Sequence, residues 1–173
     1  MLMRDSETFD AFYAGTVRRL IGQLYVMTGN RAEAEDVVQE AYARAWQRWD
    51  RVSGYGDPEA WVRTVAYRIS ISSWRRTVNR GVAHRRHGAG EAVPAISPDY
   101  VAIVAALRKI SESQRRAIVL HHLVGLSVGE IARETGTSPS AVKARLVRGR
   151  QAMSGYLSDA ATGPGPEEAQ SHA

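Results

Sequence analysis

The chain is 173 residues long, 44% hydrophobic and carries a net charge of +5, so it has room for one ordinary domain or two small ones, and enough apolar residues for their cores. It contains no cysteine, which excludes disulfides and thiolate metal sites and fits a cytosolic home. A sequence pI of about 9.9 favours a polyanionic partner, either nucleic acid or an anionic membrane surface.

Met1 to Asp10 holds Asp5, Glu7 and Asp10 and no apolar run, unlike a signal peptide. No stretch approaches the roughly 18 apolar residues that span a bilayer. The expectation is a cytoplasmic protein with no membrane insertion. Strand-type alternation is weak throughout, while apolar residues recur at helical spacing. The fold class expected is all-α, with two small helical domains at 1–77 and 100–158. A flexible linker, 78–99, would join them, and a disordered tail, 159–173, would follow. Linker (NRGVAHRRHGAGEAVPAISP) and tail (ATGPGPEEAQSHA) are rich in Gly, Ala and Pro and lack a hydrophobic period.

In the first domain, Asn30 and Glu33 have capping-box spacing and open a helix expected over 31–49. Its apolar stripe is Ala34, Val37, Val38, Ala41, Tyr42, Ala45, Trp46 and Trp49. The opposite face carries Glu35, Asp36, Gln39, Glu40 and Arg44, which on composition alone reads as a solvated face. Asp57 followed by Pro58 starts the next helix, 58–77. There Trp61, Val65, Ala66 and Ile69 recur at core spacing. Arg63, Tyr67, Ser70 and Trp74 form a second face that runs on into Arg75 and Arg76, and no acid opposes the arginines between residues 60 and 90. Rings among arginines suit an unpaired strand: rings stack on bases at roughly 1–3 kcal/mol each, and guanidiniums hold phosphate. Packing of Tyr67 and Trp74 against a neighbouring helix accounts for the same pattern equally well.

In the second domain, Ser111 with Gln114 and Ser127 with Glu130 repeat the capping-box spacing, and Ser138–Pro139 repeats the cap-plus-proline signal. Gly136 stands where the chain must turn. Val142, Leu146 and Met153 would face inward, Lys143, Val147 and Arg148 outward, with Arg145 and Arg150 flanking. A short helix, a glycine turn and a basic second helix make a helix-turn-helix, whose second helix enters the DNA major groove. The alternative is a plain helical hairpin. His84, His87, His121 and His122 have no carboxylate at ligand-like spacing, and the chain has neither a phosphate-cradling loop nor a nucleophile elbow. No metal, cofactor or catalysis is expected.

Three segments go beyond composition. AEDVVQEAYARAW (Ala34 to Trp46) resembles the most recognisable helix of sigma region 2. DPEAWVRTVAYRISISSWRR (Asp57 to Arg76) resembles the segment that melts promoters and reads the −10 element. Gln114 to Met153 resembles sigma region 4. Their order is similar to that of the extracytoplasmic-function sigma factors, with the likeness covering residues 9–77 and 100–157. The resemblance implies a non-enzymatic subunit that directs RNA polymerase to promoters and helps open the DNA. It implies that Asp36, Gln39 and Glu40, with Glu35 beside them, bind the clamp coiled coil of core polymerase. The loop from Asp50 to Asp57, with Tyr55, would meet a flipped −10 base, and Arg63, Tyr67, Ser70, Trp74, Arg75 and Arg76 would hold the melted strand. Lys143 and Arg148 would read the −35 element, with Ser138, Ser140, Ala144, Arg145, Val147 and Arg150 of the same helix at the DNA. The apolar side of the second domain would seat on the polymerase flap, and an anti-sigma factor is a further candidate partner. The chain departs from the family at Ser72, Ser73 and Trp74, where many members have Asp and a short basic run. His121 and His122 stand where Arg and an aromatic are common. The rival reading is a stand-alone helix-turn-helix regulator whose N-terminal half senses a ligand or dimerises.

Overall fold

The computed structural model describes residues 2–79 and 98–161, with side chains described for 6–72 and 99–158. The described residues form helices and turns, with no strand among them. None of their helices is long and apolar enough to cross a membrane. The chain divides into two units, Met1–Val93 and Pro94–Ala173. The middle of the expected linker, 80–97, and the tail from 162 lie outside the described residues, as do His84 and His87. Helices extend into both ends of the expected linker and into the start of the expected tail.

The first unit holds α1 (Leu2–Thr28), α2 (Arg31–Trp46), a single turn α3 (Trp49–Val52) and α4 (Pro58–Asn79). Helix α1 stops at Gly29, whose φ of 71° only glycine adopts cheaply. Asn30 then caps α2 by accepting the Glu33 N–H at 3.1 Å, while its own N–H donates to Thr28 Oγ1 at 3.2 Å. Helix α2 packs on both α1 and α4. Its buried face is Ala34, Val37, Val38, Ala41, Tyr42 and Ala45, closing on Leu20 and Leu24 of α1 and on Val62 and Ala66 of α4. The Thr16 hydroxyl donates to the Phe12 carbonyl at 2.6 Å, so the Tyr42 hydroxyl, 2.5 Å away, donates to Thr16. Burial pushes the Tyr42 phenol up. At the start of α4, Asp57 Oδ1 accepts the Ala60 N–H at 2.9 Å, and Glu59 takes a bidentate hold on Arg19 of α1.

Two expectations about this unit are corrected. Trp46 is not in the core: it is 47% exposed. Helix α2 ends at Trp46 and the chain turns at Gln47 and Arg48, so Trp49 swings onto α1 instead. The Trp49 indole N–H donates to Thr8 Oγ1 at 2.9 Å, and its ring lies 5.1 Å from Phe9 and 5.0 Å from Phe12. The second face of α4 is not a surface either. Arg63, Tyr67 and Ser70 are 5, 8 and 8% exposed. The buried arc of α4 is therefore wider than one apolar stripe. The side chains of Trp74, Arg75 and Arg76 lie outside the described residues.

The second unit holds α5 (Pro98–Lys109), α6 (Glu112–Ile118), which runs into a π-helical turn (Val119–Leu123), α7 (Val128–Thr135) and α8 (Pro139–Ala161). Ser111 caps α6 at 3.4 Å, and Ser138 caps α8 by accepting the Ala141 N–H at 3.2 Å. Ser127 and Glu130 form a complete capping box on α7, with bonds of 3.3 and 2.8 Å. The Ser127 hydrogen bonds hold the Glu130 carboxyl below its ordinary range. Helix α8 lies across α5, α6 and α7. It packs tightly on α6 at Gly149, where a Cβ would come within 2.7 Å of Ile118 Cδ1 and 3.3 Å of Gln114 Cβ.

Two glycines of α8 therefore behave oppositely. A Cβ on Gly155 meets nothing within 4 Å, so Gly155→Ala gains helix propensity worth up to about 1 kcal/mol. Gly149→Ala gains the same propensity but overpacks a buried contact at a cost of about 1–3 kcal/mol. Thermal unfolding should give a higher midpoint for Gly155→Ala and an unchanged or lower one for Gly149→Ala. In the first unit, Tyr67→Ala should lose about 3–5 kcal/mol, as other buried rings do, and Tyr67→Phe far less. An unaltered melting curve for Tyr67→Ala would place the ring at the surface.

Candidate partner-binding and nucleic-acid surfaces

Because α2 buries one stripe between α1 and α4, its other side is forced outward. Asp36, Gln39 and Glu40 are exposed and Glu35 is half-buried. Glu35 pairs with Arg31 and Glu40 with Arg44, each at 2.8 Å in the i,i+4 register. Asp36 and Gln39 have no hydrogen bond or ion pair among the described residues. Gln39 also lines a shallow groove of about 280 Å³ with Ala43 and the rings of Phe9, Tyr13, Tyr42 and Trp46. Phe9 and Trp46 rings are 5.0 Å apart, Tyr13 and Tyr42 rings 4.9 Å. Gln39 thus joins the acidic face to an apolar recess, of which Tyr42 and Trp46 were expected in the core. The signal lay in Phe9 and Tyr13, aromatic at i,i+4 on α1, facing the last turn of α2.

Asp50 to Val52 belong to α3, so the loop that carries Tyr55 is shorter than the expected Asp50 to Asp57. Its backbone is tied: Ser53 N–H donates to Trp49 O at 2.9 Å, Gly54 N–H to Arg51 O at 3.2 Å and Tyr55 N–H to Val52 O at 3.1 Å. Trp49 and Val52 are buried, and Tyr55 is held out at 41% exposure. Tyr55 thus differs in exposure from Arg63, Tyr67 and Ser70, which were expected to act with it and which are buried.

In the second unit, α7 and α8 form the helix-turn-helix. Gly136 takes φ 63°, and Thr137 N–H closes the end of α7 on Ala132 O at 3.0 Å. Ile131 and Ala132 of α7 and Val142 and Leu146 of α8 are buried. Ser138, Ser140, Lys143, Val147, Arg148 and Arg150 are exposed, while Ala144, Arg145 and Met153 are half-buried. The structure thus places the exposed positively charged residues of α8 on one accessible helix, as the sequence suggested. Behind it, His121 Nδ1–H donates to Leu126 O at 2.8 Å, fixing the π turn to the loop before α7. Partial burial, with the charges of His121 and Arg150, lowers the pKa of His122. Among the described residues no group of His, Asp and Glu could hold a metal ion.

Comparison with known proteins gives these surfaces a family. The sigma-70 region 2 family matches residues 12–80 and the sigma-70 region 4 family matches residues 100–153. The chain is similar to the ECF RNA polymerase sigma factor SigL of Mycobacterium tuberculosis, 34% identical over 128 residues, 69% of this chain and 72% of that protein. It is also similar to SigJ of that organism, 31% identical over 150 residues, 79% of this chain. It spans about half the length of SigJ and SigG, 47% and 50% respectively. Among solved structures, the sigma factor RpoE of Bartonella quintana, in complex with the anti-sigma factor NepR, matches with a TM-score of 0.71 and 26% identity, over 88% of this chain and 98% of that one. The SigJ crystal structure matches with a TM-score of 0.54 and 28% identity, over 90% of this chain and 53% of that one. With both regions matched in order and SigL alike over most of its length, the chain belongs to the extracytoplasmic-function sigma factors of the sigma-70 family.

Proposed function

We propose that the chain is a promoter-specificity subunit of RNA polymerase that works in the cytoplasm, binding and positioning without making or breaking a bond. Residues 1–77 hold core polymerase and the −10 region, residues 100–158 hold the −35 element, and 78–99 connect them. The observation that carries this reading is the division of charge on exposed helices. Helix α2 offers Asp36, Gln39 and Glu40, whereas α8 offers Lys143, Arg148 and Arg150. A duplex suits the second face and repels the first, so the chain is built for two kinds of partner.

On this reading Asp36 and Gln39, with Glu35 and Glu40 around them, dock the clamp coiled coil of the polymerase. The exposed apolar side chains of the second unit, Val101, Ile103 and Leu123, supply a seat for the flap. Tyr55 meets a flipped −10 base, with Trp74, Arg75 and Arg76 further along α4 as candidates for the opened strand. Helix α8 enters the major groove at −35, with Ser138 at its N-terminus near the phosphates. The complex of RpoE with NepR supports an anti-sigma factor as a regulating partner here too. No cofactor or metal is part of the role.

Charge reversal at Asp36 combined with Gln39→Ala should weaken binding to core polymerase by about 2 kcal/mol or more, as expected for contacts at an interface centre, with the circular dichroism spectrum unchanged. Equal co-purification of parent and variant with core polymerase would count against this face. A gel-shift series with promoter duplex then tests the role itself. The protein alone should shift the duplex weakly and the protein with core polymerase strongly. Tight, specific binding by the protein alone would instead favour the stand-alone regulator.

A further inference from the structure

Helix α8 sorts its outward side chains by kind. Val142 and Leu146 are buried, and Gly149 lies against Ile118. These three define the side that faces the unit. The side opposite them carries Ser140, Ala144, Val147 and Gln151, at helical spacings of four, three and four. Lys143 and Arg150 run along one edge of that strip, and Arg148 lies on the other edge. The centre of the exposed face is therefore uncharged, and its positive charge sits at the margins.

Val147 is the large apolar side chain of this strip, and it is 45% exposed. A β-branched residue gains nothing for the helix at a solvent-facing position. Solitary exposed valines are ordinary on protein surfaces, but this one stands midway along the face, between cationic margins. The DNA major groove has the complementary layout. Its two walls are phosphate, and its floor presents donors, acceptors and one apolar group, the C5-methyl of thymine. Lysine and arginine at the margins match the walls, and valine at the centre matches the methyl. Ala144, one turn before Val147, is small enough to let the helix lie close to the floor.

We infer that Val147 is a specificity-determining residue, which selects a thymine in the −35 element by packing against its C5-methyl group. The inference rests on the proposed docking of α8 in the −35 major groove. In that arrangement Lys143 and Arg148 contribute chiefly through phosphate, and the uncharged strip reads the bases.

The test is transcription by core polymerase carrying this chain, from a promoter set randomised across the −35 segment. The segment is made once with thymidine and once with deoxyuridine, which lacks only the methyl group. The parent should favour thymidine at one −35 position and lose about fourfold there on the deoxyuridine set, the worth of one buried methylene-sized group. Val147→Ala, an exposed substitution that leaves the fold intact, should use both sets alike at that position. Lys143→Ala and Arg148→Ala should lower transcription across the set while keeping the thymidine preference. Equal use of both sets by the parent, with Lys143→Ala and Arg148→Ala still defective, overturns the role of Val147 alone. So does a deoxyuridine penalty that persists in Val147→Ala. A parent with no base preference anywhere in the −35 segment overturns the docking of α8, and the role of Val147 with it.

Discussion

The first unit depends on one constraint: α2 must bury a single stripe against two helices at once. Ala34, Ala41 and Ala45 are fully buried within it. Small side chains there let α1 and α4 close in, and Val37, Val38 and Tyr42 fill the remaining space. Once that stripe is fixed, the positions of Asp36, Gln39 and Glu40 follow from helical geometry alone. Packing therefore explains why this face is outside, but not why it ends in exposed Trp46 and Tyr13. Both rings could have contributed transfer free energy to the core, and each instead borders an open groove beside Gln39. Aromatic residues beside an uncharged polar group are what the centre of a protein interface uses. Gln39 lies both in the groove and on the exposed face that carries Asp36 and Glu40.

The second unit reaches a similar division by different means. Helices α6 and α7 are short, and serines set the starts of both and of α8. Each cap satisfies backbone N–H groups that a short helix has few other ways to pair. Gly149 then brings α8 against α6. The contact turns Val142 and Leu146 inward and leaves Lys143 and Arg148 outward. A bulky residue at position 149 would tilt or separate the helices and re-aim the whole exposed face.

What could be read from the sequence was local, and what could not was set by neighbours. The caps at Asn30, Asp57, Ser111, Ser127 and Ser138 were legible because each is a side chain bonding to its own backbone three residues on. Gly136 was legible because a turn between two helices needs positive φ. The buried face of α2 was legible except at its end, since periodicity does not say where a helix stops. The second face of α4 stayed open between a stacking surface and a packed face because periodicity reveals a stripe but not what packs around it. Arg63 and Ser70 look like surface residues on any scale, yet both are buried. Gly149 was missed for a related reason. A glycine within a helix signals nothing by itself, and a Cβ on Gly155 in the same helix would meet nothing within 4 Å.

The burial of Tyr67 also bears on which residues could receive an unpaired base in the proposed role. Stacking on a ring is worth roughly 1–3 kcal/mol. Withdrawing an aromatic side chain from a packed core forfeits about as much, roughly 1.5–3 kcal/mol of transfer free energy, before any cavity term is added. A buried Tyr67 would thus have to surrender what it gains. Tyr55 has no such debt. Its ring is already largely in solvent, and its backbone is fixed by hydrogen bonds to the carbonyls of α3. A ring that is presented but anchored loses little conformational freedom on contact. The same comparison explains why α3 is held so firmly. Trp49 ties that one turn to α1 through Thr8 and the rings of Phe9 and Phe12, and a four-residue helix has no stability of its own. In the proposed role the Tyr55 loop is therefore the better-placed base receptor: Trp49 anchors the turn before it, whereas Tyr67 is already buried.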